Sequence, residues 1–109
     1  MRNIIKKIQK TCDCCPSQWE ITLKDGKMVY VRYRWGHLTI RISKDKTNKI
    51  EDAINGIIIY HKQLGNGFDG YMKTRVMKRY LKAALINYLY DKRLRPTQNM
   101  LSKAPNFKN

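Results

Sequence analysis

The sequence predicts a two-layer α+β domain: a three- to four-stranded antiparallel meander packed against one long C-terminal helix, with a short helix between. Two observations carry this prediction. From residue 18 to 43 apolar and polar residues alternate with period two, as half-buried strands do. From Met72 the apolar residues Val76, Met77, Tyr80, Leu81, Ala84, Leu85, Tyr88 and Leu89 keep helical spacing on one side. An amphipathic sheet and an amphipathic helix must cover each other's apolar faces, and 109 residues suffice for one such domain.

Taken in order, Ile4, Ile5 and Ile8 have helical spacing and Pro16 ends what precedes it, so residues 1–15 read as an N-terminal arm or short helix. The single domain spans 16–95. Trp19, Ile21 and Leu23 mark the first strand, Val29, Val31 and Tyr33 the second, and Leu38, Ile40 and Ile42 the third. A slip of one residue would swap the faces, so turn chemistry tests the register. A three-residue loop of Lys24, Asp25 and Gly26, with Gly26 left-handed, pairs Ile21 with Val29 and Trp19 with Val31; a two-residue Asp25-Gly26 loop would mix the faces. A two-residue Trp35-Gly36 turn pairs Tyr33 with Leu38 and Val31 with Ile40, with Gly36 supplying positive φ.

Asn48 and Glu51 have the form of a capping box and Gly56 suits a helix stop, predicting a short helix over 49–55. The β-branched run Ile57 to Tyr60 predicts a fourth strand reaching Lys62 or Gln63. Its open edge allows a homodimer. Residues 96–109, without periodicity and with two prolines, predict a flexible basic tail. The indispensable core is Trp19, Ile21, Val29, Val31, Leu38, Ile40 and the helical stripe.

Composition points to the partner. With 23 Lys and Arg against 8 Asp and Glu, the net charge is +15 in 13.0 kDa. Such a field attracts polyanions: nucleic acid, a phosphorylated small molecule such as a nucleotide, an anionic membrane, or an acidic protein surface. No apolar run is long enough for a transmembrane helix, which needs about 18 residues, and no continuous apolar core follows the first basic residues as in a secretory signal.

The outer strand face carries Arg32 opposite Thr39, Tyr30 opposite Arg41 and Arg34 opposite His37, beside the turn residue Trp35. Three guanidinium groups share this patch with aromatic rings, a set that clamps phosphates bidentately and stacks on bases. On this face only Glu20 could neutralise them. A second basic surface, Lys73, Arg75, Lys78, Arg79 and Lys82, lies on the long helix, with Lys92, Arg93 and Arg95 just beyond; from 71 to 95 there are 8 basic residues and a single acid, Asp91. Contacts of this kind to a nucleic-acid backbone are salt-dependent and carry no sequence preference.

Other chemistry finds little support. Cys12, Cys14 and Cys15 could donate thiolates to zinc with His37 or His61, yet no second C-x-x-C exists and the odd count is no disulfide framework, so they read as reduced thiols in a cytoplasm. No metal site and no cofactor is assigned. The carboxylates fall mostly in turns and caps, and no paired general acid and base can be picked out, so the chain reads as a binding protein and not an enzyme. Gly65, Gly67 and Gly70 in "LGNGFDGYMK" match G-x-G-x-x-G, the dinucleotide fingerprint. That fingerprint needs a βαβ unit which this order of elements lacks. The glycines are expected to serve a strand-to-helix loop with positive φ, with Asp69 capping the helix.

At "CCPSQWE" followed by "YVRYRWGHLTI", about residues 14–42, the chain resembles small proteins of phages and mobile elements that carry a CPSQWE motif and then a Y-x-R-Y-R-W-G turn. The resemblance implies a small accessory gene acting in the cytoplasm of a bacterial host. Proteins that engage DNA and proteins that counter host defence are both common in that setting. The reading is therefore a basic, non-enzymatic nucleic-acid-binding protein; its alternative is a counter-defence protein that sequesters a nucleotide signal or binds a host effector.

Overall fold

The computed structural model describes residues 4–94. The tail expected over 96–109, and Arg95, lie outside the described residues. The elements are β1 (Ile5–Cys12), β2 (Ser17–Leu23), β3 (Met28–Arg34), β4 (His37–Ile42), α1 (Ile50–Ile54), β5 (Ile57–Gln63) and α2 (Thr74–Leu94). The five strands form one antiparallel meander in the order β1-β2-β3-β4-β5.

The N-terminal segment is thus a strand and not a helix, and the sheet has five strands where three to four were expected. The helical spacing has a strand explanation. The β1 ladder shifts register between Ile5 and Lys7, so Ile5 lies opposite Leu23 and Ile8 opposite Ile21. Three residues apart, the two isoleucines would face opposite sides of a regular strand; the irregularity brings both against the core.

The two central hairpins follow the turn chemistry. Ile21 pairs with Val29 and Trp19 with Val31, and the Leu23 N–H donates to the Lys27 carbonyl around Gly26 at φ 96°. Tyr33 pairs with Leu38 and Val31 with Ile40 across Trp35-Gly36. Trp19, Ile21, Val29, Val31, Leu38 and Ile40 are fully buried, joined by Leu23, Tyr33 and Ile42 and, from α2, by Met77, Leu81, Ala84 and Leu85. Burying each large apolar side chain contributes about 1.5–3 kcal/mol. The long helix therefore covers one face of the sheet, as its stripe requires.

The short helix differs in its cap and its place. Asn48 is not the cap: the residue before α1 is Lys49, and its N–H donates to Oγ1 of Thr47, whose hydroxyl in turn donates to Asp52 at 2.5 Å. This helix lies on the sheet face opposite α2, where Ile54 and Asn55 border Tyr30 and Arg41. Gly56 is needed for space, since a Cβ there would run into the Ile42 carbonyl.

The segment "LGNGFDGYMK" ties the upper end of the fold together. The Leu64 and Gly65 N–H groups donate to the Gly36 carbonyl, and the Gly36 N–H donates to the Asp69 carbonyl. On its other side the Ser17 N–H donates to the Gly70 carbonyl and the Met72 N–H donates to Oγ of Ser17, which itself donates to the Asp13 carbonyl at 2.5 Å. Trp19 Nε1 donates to Oγ1 of Thr74, the first residue of α2. The expected positive φ is absent from these glycines; among the described residues it falls on Gly26, Gly36 and Trp35. Gly65 instead gives room to Asp69 and to the Tyr33 hydroxyl, and Gly70 to Cys15, while Gly67 meets nothing. Asp69 does not cap α2: its carboxylate takes the Tyr33 hydroxyl and, at 3.4 Å, the Tyr71 N–H.

Candidate functional site

Strand alternation places Tyr30, Arg32 and Arg34 of β3 and His37, Thr39 and Arg41 of β4 on the face away from α2, paired as Arg34 with His37, Arg32 with Thr39 and Tyr30 with Arg41. Two concavities open on this face. The upper, of about 310 Å³, is lined by Arg32, Arg34, Trp35, His37 and Thr39. The lower, of about 450 Å³, is lined by Tyr30, Arg32, Thr39, Arg41, Ile54 and Asn55. They share Arg32 and Thr39, so they adjoin, forming a two-part groove between the Trp35 turn and α1.

The charges in this groove are uncompensated. Among the described residues no carboxylate lies within ion-pair distance of Arg32, Arg34 or Arg41, and Glu20 does not reach Arg32 to form a bridge. The Nε of Arg32 is buried without a hydrogen-bond partner. A buried N–H left unpaired costs about 1–3 kcal/mol, more when charged, so an acceptor placed there gains that back. Burial raises the pKa of the Tyr30 hydroxyl; Arg32 and Arg41 lower it and Glu20 and Cys12 raise it, the net being upward. Tyr30 is therefore a neutral hydrogen-bond donor in neutral solution.

The upper rim is held by side chains from β5. Gln63 Nε2 donates to the carbonyls of Trp35 at 2.7 Å and Gly65 at 2.8 Å, so its Oε1 is left to accept, at 3.1 Å, from Nδ1 of His37. That fixes the proton of a neutral His37 on Nδ1. The His61 ring stacks on His37 with centroids 5.5 Å apart. Trp35 stands 60% exposed at the turn, with the Arg34 guanidinium 4.7 Å from its ring centroid.

The structure brings Arg32, Arg34, Trp35 and His37 together and sets Tyr30 and Arg41 in the adjoining concavity. It does not bring in Lys73, Arg75, Lys78, Arg79 and Lys82. These are exposed, Lys73 just ahead of α2 and the others on it, in the layer across the sheet from the groove. Sequence reasoning placed Thr39 on this face without counting it in the site, and missed His61, Gln63, Ile54 and Asn55 as groove neighbours. Pairing β5 onto β4 would have found His61, which lies opposite Thr39.

The sulfurs of the neighbouring residues Cys14 and Cys15 lie against each other, and Cys12 stands apart from them. Among the described residues no cluster of three metal-ligating side chains occurs. No helix among them is long and apolar enough to cross a membrane. No protein-family model, curated protein or solved structure matches the chain.

Proposed function

We propose that this chain is a non-enzymatic protein that binds the phosphate backbone of nucleic acid in the groove of Arg32, Arg34 and Arg41. One observation carries the reading: three arginines without a carboxylate partner line two adjoining concavities that share Arg32, and the buried Nε of Arg32 lacks an acceptor. Phosphate oxygens are acceptors of the right charge, and guanidinium groups bind them bidentately. Tyr30 and Thr39 add neutral donors between the charges. The lysines and arginines of α2 face the other way and contribute by long-range attraction and by contacts with neighbouring stretches of the same polymer.

Titration of random DNA, duplex and single-stranded, across a salt series tests this. The expected result is affinity that falls steeply with salt, with a shallower slope in the Arg32→Ala, Arg34→Ala double variant. No binding to either form at about 50 mM salt removes the reading.

The upper concavity favours a second reading. At about 310 Å³ it falls at the lower end of small-ligand sites, so Arg32, Arg34 and Trp35 would suit one free nucleotide. A counter-defence protein of the phage type would use it to sequester a nucleotide signal, or use the same charges to cover a host effector. Saturable binding of a mononucleotide that DNA cannot compete away would favour this over the first. Pairing of two copies along the open β5 edge, where Ile57 and Ile58 stand exposed, would complete either assembly.

A further inference from the structure

Trp35 combines three properties that its place in a two-residue turn does not ask of a tryptophan. Its φ is 58°, in the left-handed region that bulky L-residues avoid. It is 60% exposed, so little apolar burial compensates the conformation. It is also held from several sides: Gln63 grips its carbonyl, and the next residue, Gly36, bonds to Asp69, Leu64 and Gly65. An Asn at this turn position would adopt the same backbone more easily. A large ring has been fixed at the mouth of the groove, with the Arg34 guanidinium 4.7 Å from its centroid.

Resting on the reading above, we propose that the groove selects single-stranded nucleic acid, with Trp35 as the platform on which an unpaired base stacks. Base faces inside a duplex are covered by their neighbours, and only an unstacked base offers its face to an external ring. Alternate residues of a strand lie about 6.7 Å apart, so Arg34 and Arg32 form a row along β3 that Arg41 of β4 continues diagonally. A single phosphate backbone can follow this row while Trp35 takes a base at its upper end. Phe68, 96% exposed beside the Asp69 whose carbonyl takes the Gly36 N–H, offers a second ring at the same end.

The decisive experiment compares labelled oligothymidine, oligouridine and a duplex, each of about 12 nucleotides per strand, near 100 mM salt. The probe within the protein is its own fluorescence: Trp19 is fully buried and Trp35 exposed, so quenching by a stacked base reports on Trp35. Single strands are expected to bind about tenfold more tightly than duplex and to quench the emission. Trp35→Asn should lose that preference and the quenching while keeping its duplex affinity; Trp35→Tyr should retain the preference. The DNA and RNA arms show which sugar the groove accepts. Equal affinity for duplex and single strand, unchanged in Trp35→Asn, overturns this proposal and leaves backbone binding standing. Absence of binding to all three probes overturns both.

Discussion

The Tyr33 hydroxyl donates a 2.6 Å hydrogen bond to Oδ2 of Asp69, joining the middle strand of the sheet to the loop ahead of α2. Burial first, and then the bonded carboxylate, push its pKa up to about 12 from the usual 10. Between these values the unfolded chain binds fewer protons than the native one, so stability falls as pH rises. The contribution is complete below about pH 10 and gone by about pH 12, on the order of 2 kcal/mol. Urea midpoints measured between about pH 9 and pH 11.5 should fall more steeply for the parent than for Tyr33→Phe. At neutral pH the same variant should cost about 1 kcal/mol for the lost hydrogen bond. Parallel alkaline profiles would contradict this.

The glycines of the loop and turn should separate sharply. Gly36 sits at φ 72° with the Gly65 and Asn66 carbonyls where a Cβ would go. Gly36→Ala is therefore expected to cost several kcal/mol, about 3 or more, or to prevent folding. Gly67, the middle glycine of the apparent dinucleotide pattern, has nothing within 4 Å of its added Cβ. Gly67→Ala should stay within about 0.5 kcal/mol of the parent in chemical denaturation.

Trp19 is fully buried, and its indole N–H donates at 2.9 Å to Oγ1 of Thr74 at the start of α2. Trp19→Ala should cost about 3–5 kcal/mol and remove most of the folded population. Thr74→Val should cost less, about 1–2 kcal/mol, because the indole N–H is left unpaired while the packing remains. Calorimetry on both variants checks the order.

At Trp35 the expectation runs the other way. Relieving the left-handed strain with Trp35→Asn should raise stability by about 1 kcal/mol, read as a higher urea midpoint with an unchanged m-value. A destabilised variant would mean that the ring supports the fold.

Much of this architecture was legible in the residues. From Trp19 to Ile42 the period-two pattern and the two turns determine one another, since only one loop length at each turn keeps the apolar face whole. That reasoning placed Arg32, Arg34 and Arg41 on a common face. The N-terminal strand was not legible, because a register irregularity between Ile5 and Lys7 imitates helical spacing. Nor was the role of Gly65 and Gly70, whose neighbours Tyr33, Asp69 and Cys15 include residues distant in the chain. His61 escaped notice because the β4–β5 ladder slips between Ile40 and Arg41, a shift that decides which β5 residues join the groove face. For Trp35, a two-residue turn of this type asks positive φ at both positions, and the sequence reading assigned it to Gly36 alone.

The most direct test of the groove as the binding surface is the salt dependence of single-stranded DNA affinity, in the parent and in the Arg32→Ala, Arg34→Ala double variant. Each phosphate contact contributes about 0.7 to the slope of log affinity against log salt on single strands, so the double variant should lose about 1.4 from its slope and bind at least tenfold more weakly. The double variant should unfold at a urea concentration no lower than the parent's, because neither arginine is part of the core and the buried unpaired Nε of Arg32 is removed. A double variant that binds with the parent's affinity and slope would contradict the assignment of the groove.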